Sequence, residues 1–200
     1  RFVTTAGDGN DSYIGGSGSD TYDSSGLTST IAVNLLAGTA GGADAGADGL
    51  DSVEHAWGGS GNDWLTGNQG NNSLRGNGGA DRLNGYTGND SLHGGAGDDM
   101  IKGGAGSDRL TGGTGSDKFM FGKGFGNDAI MDFDALAAGG QDKLDLTEMG
   151  IGTADFNDRV DIIDQGADVL IRIDHSNTIR LKDVADVHSV TINDFVLFGG

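Results

Sequence analysis

The chain has 200 residues, with 40 Gly, no Pro and no Cys, and its 30 acidic against 12 basic residues leave a net charge of −18 at pH 7. That length fits one domain; the acidity disfavours nucleic acid and anionic membranes and favours cations. The lack of Cys excludes disulfides and thiolate metal sites, and neither a membrane-length apolar run nor a signal-peptide pattern is present.

The opening Arg1-Phe2-Val3 leads directly into repeats, which reads as the C-terminal piece of a longer protein. Residues 7–23 hold two rows of a nine-residue pattern: one with Gly7, Gly9, Asp11 and Tyr13, the next with Gly16, Gly18, Asp20 and Tyr22. Residues 24–57 interrupt the pattern. Ile31, Val33 and Leu35 alternate as a strand does, residues 38–49 read as a flexible acidic loop, and Leu50 and Val53 lead back. This insert is expected to form one enlarged solenoid turn, with an added functional loop as the alternative.

From Gly58 to Met120 the pattern runs seven times without a gap. Its fourth place is always Gly: Gly61, Gly70, Gly79, Gly88, Gly97, Gly106 and Gly115. The sixth is Asp63, Asn72, Asp81, Asp90, Asp99, Asp108 and Asp117, and the eighth is Leu65, Leu74, Leu83, Leu92, Ile101, Leu110 and Phe119. A degenerate row with Gly124, Gly126, Asp128 and Ile130 follows. Glycines permit positive φ and close backbone approach, so the first six places can form a tight turn closed by a carboxylate. The last three alternate out, in, out, as a short strand does. The unbroken apolar column argues against a disordered linker. One apolar side chain per row is nevertheless a thin core, so something besides hydrophobic burial must help. Converging carboxylates and carbonyls suit calcium, which takes six to eight oxygen ligands.

The rows resemble the G-G-x-G-x-D-x-U-x nonapeptide of the RTX family. The resemblance implies an all-β fold: a right-handed parallel β-roll, a two-sheet solenoid with two rows per turn and calcium between adjacent loops on each edge. One edge would then stack Asp63, Asp81, Asp99 and Asp117, and the other Asn72, Asp90, Asp108 and Asp128. Further oxygens would come from the carbonyls of Gly59, Gly61, Gly70, Gly79, Gly88, Gly95, Gly97, Gly104, Gly106, Gly113 and Gly115. Asp11 and Asp20, with the carbonyls of Gly16 and Gly18, would add to these, for about six to eight ions. Two departures stand out. Asn72 lacks the charge, and Tyr86 replaces a second-place Gly, where left-handed φ would strain it.

Residues 132–200 change character, with strand-like runs at 160–163, 169–173 and 178–181 and turns at Gln165-Gly166-Ala167 and His175-Ser176-Asn177. The stretches Ile130-Met131-Asp132-Phe133, Asp142-Lys143-Leu144-Asp145-Leu146 and Asn193-Asp194-Phe195-Val196-Leu197-Phe198 resemble the C-terminal cap of serralysin-like proteins. That resemblance implies type I secretion from a Gram-negative bacterium, an extracellular or cell-surface location, and the export machinery as a transient partner. The division expected is a roll over 1–131 and a cap over 132–200.

Enzyme signatures are absent: no H-E-x-x-H, no G-x-S-x-G and no P-loop. The chain is therefore read as the non-catalytic, calcium-folded part of a larger secreted protein. The outward strand places carry Trp64, Arg75, Arg82 and Arg109. They are either a solvated face holding cations away from calcium or a polysaccharide-binding face similar to that of alginate epimerase modules.

Overall fold

A computed structural model describes residues 1–135, 141–174, 177–184 and 186–199. The strands in chain order are β1 (Phe2–Val3), β2 (Ser12–Ile14), β3 (Thr21–Asp23), β4 (Ile31–Asn34), β5 (Thr39–Gly42), β6 (Gly46–Asp51), β7 (His55–Trp57) and β8 (Trp64–Thr66). The central rows give β9 (Ser73–Gly78), β10 (Arg82–Thr87), β11 (Ser91–Ala96), β12 (Met100–Ala105), β13 (Arg109–Thr114) and β14 (Lys118–Met120). Then come β15 (Asn127–Ile130), β16 (Lys143–Asp145), β17 (Val160–Asp164), β18 (Val169–Ile173), β19 (Asn177–Leu181) and β20 (Phe195–Val196).

They form two ten-stranded sheets, β1-β3-β7-β9-β11-β13-β15-β19-β18-β17 and β2-β6-β5-β4-β8-β10-β12-β14-β16-β20. Successive rows alternate between the sheets, so each strand pairs in parallel with the strand two rows on. Leu74 is opposite Leu92, and Leu83 opposite Ile101, each 18 residues apart. This is the two-rows-per-turn β-roll. The strands of the inner rows are longer than the three places expected, because the first three residues of the next row stay paired before the chain turns.

The eighth-place residues meet between the sheets. Leu65, Leu83, Ile101, Phe119 and Leu144 line one side. Leu74, Leu92, Leu110, Ile130 and Leu181 line the other. None is more than 2% exposed, and burying each such side chain contributes about 1.5–3 kcal/mol.

The insert departs from the expectation of a simple enlarged turn. β4, β5 and β6 make an antiparallel meander lodged in the second sheet between β2 and β8. The segment expected as a loop supplies β5 and most of β6, with Ala40 and Ala45 buried. Its Gly- and Ala-rich sequence lacks the alternation that signals a strand, but backbone pairing does not require side chains.

Beyond residue 131 both sheets continue without a break. β16 and β20 extend the second sheet, and β19 joins β15 in parallel. The antiparallel β19-β18-β17 meander ends the first sheet, which halts further parallel stacking. The expected turn at His175-Ser176 lies outside the described residues. No helix among the described residues is long and apolar enough to cross a membrane.

Candidate metal centre

Each six-residue turn ends at one edge of the roll, and the sixth-place carboxylates stack there. On one edge Asp63 N donates to Asp81 Oδ1 at 2.7 Å, Asp81 N to Asp99 Oδ1 at 2.7 Å, and Asp99 N to Asp117 Oδ1 at 2.9 Å. On the other, Asn72 N donates to Asp90 Oδ1 at 2.7 Å, Asp90 N to Asp108 at 2.8 Å, and Asp108 N to Asp128 at 2.9 Å. These are the two columns expected from the repeat. One carboxylate oxygen per residue thus locks the preceding turn in register.

The second oxygen has no such role. Oδ2 of Asp81, Asp90, Asp99, Asp108, Asp117 and Asp128 is buried and receives no hydrogen bond. Backbone carbonyls crowd the same space. A Cβ at Gly94 would strike Asp99 Oδ2 and come within 2.6 Å of Gly112 O, and one at Gly97 would strike Gly79 O. Glycine is required at these places because oxygens occupy the volume of a side chain, and at Gly97 because φ is +123° as well.

Burial makes these carboxylates reluctant to ionise. It pushes Asp81, Asp90 and Asp99 up to about 7 and Asp128 up to about 8, opposed by the backbone donor and reinforced for each by neighbouring carboxylates. Asp63, Asp108 and Asp117 rise for the same first cause. An orphaned buried anion facing carbonyl oxygens is costly alone and is satisfied by a hard divalent cation with oxygen ligands. No group of three or more His, Asp or Glu side chains suited to a metal converges among the described residues. An ion here therefore needs backbone oxygens, and the glycine-lined turns supply them. The residues present fit calcium.

The family model of the RTX calcium-binding nonapeptide repeat matches residues 5–22, 57–92, 84–119 and 93–130. These rows are RTX calcium-binding repeats. The RTX roll is thus a calcium-binding unit. No curated protein matches the chain. Among solved structures it is similar to the AlgE6R2 subunit of the mannuronan C5-epimerase from Azotobacter vinelandii, at 25% identity over 66% of this chain and 91% of that one, TM-score 0.41. The AlgE6R3 subunit of the same enzyme matches at 25% identity over 72% and 78%, TM-score 0.34. The extracellular lipase LipA from Serratia marcescens matches at 20% identity over 94% of this chain and 34% of that one, TM-score 0.39.

The first of these RTX columns ends in carboxylates whose oxygens all find protein donors. Asp63 accepts from Gly59 N at 2.6 Å and Ile31 N at 2.9 Å. At the far end Asp142 accepts from Asp117 N and Asp134 N, both at 2.9 Å. Asn72 closes the other column: its Oδ1 accepts from Asn68 N at 2.7 Å, and its Nδ2 donates to Glu54 O at 2.8 Å and Asn68 Oδ1 at 3.1 Å. The neutral amide thus uses its N–H groups on oxygens like those that face the orphaned carboxylates further on. These two rows also turn differently. Gly59, Gly61, Asn68 and Gly70 lack the positive φ found at Asn77, Gly79, Tyr86 and Gly88.

The carbonyls of Gly61, Gly70, Gly79, Gly88, Gly95, Gly97 and Gly106 press against the following turn, as the repeat requires. Asp11 and Asp20 do not join the carboxylate stacks as expected: Asp11 is exposed and Asp20 half-buried, and Gly16 and Gly18 stand in open space. Their backbone N–H groups donate instead to Asp48 Oδ1 and Glu54 Oε2, both at 2.9 Å. Asp48 is completed by the Tyr22 hydroxyl at 2.7 Å, which supplies the partner that tyrosine needs.

Sequence reading overlooked Asp48, Glu54 and Asp142. Asp48-Gly49-Leu50 and Asp142-Lys143-Leu144 keep the D-x-U end of the repeat and, two residues before the Asp, its fourth-place glycine (Gly46 and Gly140), but not the leading pair of glycines, and that was the available signal. It also overlooked a ladder at the fifth place. Asn62, Asn71, Asn89 and Asp98 accept from Ala80 N, Asn89 N, Ser107 N and Ser116 N, at 2.8–2.9 Å.

The four residues considered as a glycan face do not share one. Trp64 and Arg82 are paired on the second sheet, Arg75 and Arg109 lie on the first, and Arg75 stacks on Trp57. Alternate rows belong to opposite sheets, so residues from odd and even rows point apart.

Proposed function

We propose that this RTX roll is a calcium-stabilised, extracellular module that binds an anionic polysaccharide on its second sheet. The observation carrying this reading is the Trp64–Arg82 pair beside a groove of about 310 Å³, lined also by Met100, Lys102 and Met120. The Arg82 guanidinium sits 5.2 Å from the centre of the Trp64 ring. An exposed aromatic face stacks on a sugar ring and a guanidinium pairs with a carboxylate. Both stand apart from the acidic edges. Mannuronan, the polymer named in the epimerase, is the probe. Binding at saturating calcium should fall at least tenfold in Trp64→Ala and Arg82→Gln while Arg75→Gln and Arg109→Gln, on the other sheet, leave it unchanged. Equal losses in all four would refute this placement.

In this proposal Asp81, Asp90, Asp99, Asp108, Asp117 and Asp128 hold about six ions, with the second- and fourth-place carbonyls completing each shell. Calcium supplies the positive charge that makes burial of these carboxylates favourable.

A second reading rests on the six orphaned oxygens in a chain of net charge −18. Without ions the columns repel, so the chain stays unfolded for type I export and folds in millimolar calcium outside. A ligand at a hundredfold its Kd stabilises by about 2.7 kcal/mol per site, so six sites rival the whole stability of a domain. Circular dichroism in chelator and in calcium checks this. A compact β spectrum in excess chelator at neutral pH would overturn it. The two readings are compatible, and deletion of residues 132–200 from a secreted fusion tests the export part separately.

A further inference from the structure

The second sheet presents a cation on each of four consecutive strands: Arg82 on β10, Lys102 on β12, Lys118 on β14 and Lys143 on β16. Arg82, Met100, Lys118 and Lys143 stand in direct register, and Lys102 is two residues along from Met100, on the same face. Neighbouring strands are about 4.8 Å apart, so this file offers roughly one positive charge per 4.8 Å along the solenoid axis. Trp64, 56% exposed on β8, stands at one end of it. The spacing suits a linear polymer bearing one carboxylate on each sugar, lying across the strands.

The middle of the file is already paired. Lys102 Nζ donates to both carboxylate oxygens of Glu148, at 2.8 and 2.6 Å. Glu148 belongs to the helical turn Thr147–Met149 in the C-terminal segment, 46 residues on from Lys102. The other three cations are held differently. Arg82 stacks on Trp64, Lys143 donates to Asn193 O at 2.7 Å, and Lys118 lies 4.0 Å from Asp145. The Glu148 carboxylate reaches Lys102 by lying over Gly122, where an added Cβ would stand 2.7 Å from its Oε2. Gly122 has no positive φ, so an alanine there strains no backbone and meets first the movable end of Glu148.

Resting on the polyanion reading above, we infer that Glu148 is an internal stand-in for a polymer carboxylate, one that occupies the centre of the cation file and must be displaced on binding. Lys102 and Glu148 are 31% and 45% exposed, and ion pairs this exposed are weak. A polymer carboxylate arriving with neighbours on Arg82 and Lys118 can take Lys102, and Glu148 turns outward into water. While it stays, it repels the polymer. The contact therefore sets a threshold that short or sparsely charged chains do not pass.

The test is calorimetry with mannuronan oligomers at saturating calcium and low ionic strength, with dextran as the neutral comparison. Glu148→Gln removes the competing charge. Gly122→Ala leaves the net charge unchanged and pushes the carboxylate off Lys102, so it separates local competition from overall repulsion. Each should tighten mannuronan binding on the order of three- to tenfold, and adding Lys102→Gln should cancel the gain. If wild-type protein binds and neither variant binds more tightly, the role of Glu148 is overturned while the polyanion reading stands. If neither the wild type nor either variant binds mannuronan above dextran, the polyanion reading fails and this inference with it. Circular dichroism in the same buffer checks that every variant is folded.

Discussion

Asn72→Asp is the substitution that most directly tests how the ion columns end. It restores the repeat consensus, so counting charges alone says it should simply strengthen calcium binding. The geometry says otherwise. Asn72 Nδ2 donates to Glu54 O at 2.8 Å and to Asn68 Oδ1 at 3.1 Å, and the side chain is buried. An Asp loses both donations, at about 1 kcal/mol each, and turns a carboxylate oxygen toward two other oxygens, at about 1–3 kcal/mol more. Where calcium suffices only for the existing sites, the variant should be less stable by about 3–5 kcal/mol, a fall in Tm of roughly 6–20 °C for a domain of this size. Raising calcium to a hundredfold above the Kd of a new site returns about 2.7 kcal/mol. Thermal melts across a calcium titration, with ion stoichiometry by calorimetry, check this. The expected signature is a lower Tm at limiting calcium, a steeper rise with calcium than wild type, and one additional ion bound. A variant equal to wild type at limiting calcium, with an unchanged ion count, would show that the Asn72 amide does not close the column.

Three further outcomes are expected. Tyr86 holds φ +82°, a left-handed conformation costly for a β-carbon-bearing residue; Tyr86→Gly should raise stability in calcium by about 1 kcal/mol, read as Tm, and an unchanged or lower Tm would refute the strain. Asp99→Asn should remove an orphaned oxygen and weaken the register bond from Asp81 N, so calorimetry should show the calcium midpoint rising and at least one ion lost, whereas the exposed Asp11→Asn should change neither. Without calcium, folded-state carboxyl values near 7 for Asp81, Asp90 and Asp99 lie above their ordinary value of 3.8; the sign of the linkage is that their favourable contribution is complete below about pH 4 and is lost as pH rises through about 7. In chelator, β structure by circular dichroism should therefore be greater at pH 5 than at pH 8, and the reverse order would contradict it.

The sequence by itself determined the roll. A period of nine with Gly, Asp and an apolar residue at fixed places admits one solution: turns at two edges, two facing sheets, and Leu83 stacked on Leu65 and Ile101 while Leu92 stacks on Leu74 and Leu110. Local spacing encodes all of this, because in these rows each residue's partner lies 18 positions away. The placement of Arg75 and Trp64 on opposite sheets was legible from the same period. What only the tertiary structure decided lies where partners are not 18 apart. Asp63 is satisfied by Ile31, from the insert, and Asp117 donates to Asp142, 25 residues on. Both contacts depend on how the meander and the C-terminal strands dock. A carboxylate has the same letter whether a backbone N–H or an ion completes it, so the ends of the columns appear only when the donors around each oxygen are known. Glu148 on Lys102 is of the same kind, set by a 46-residue return of the chain that no repeat records.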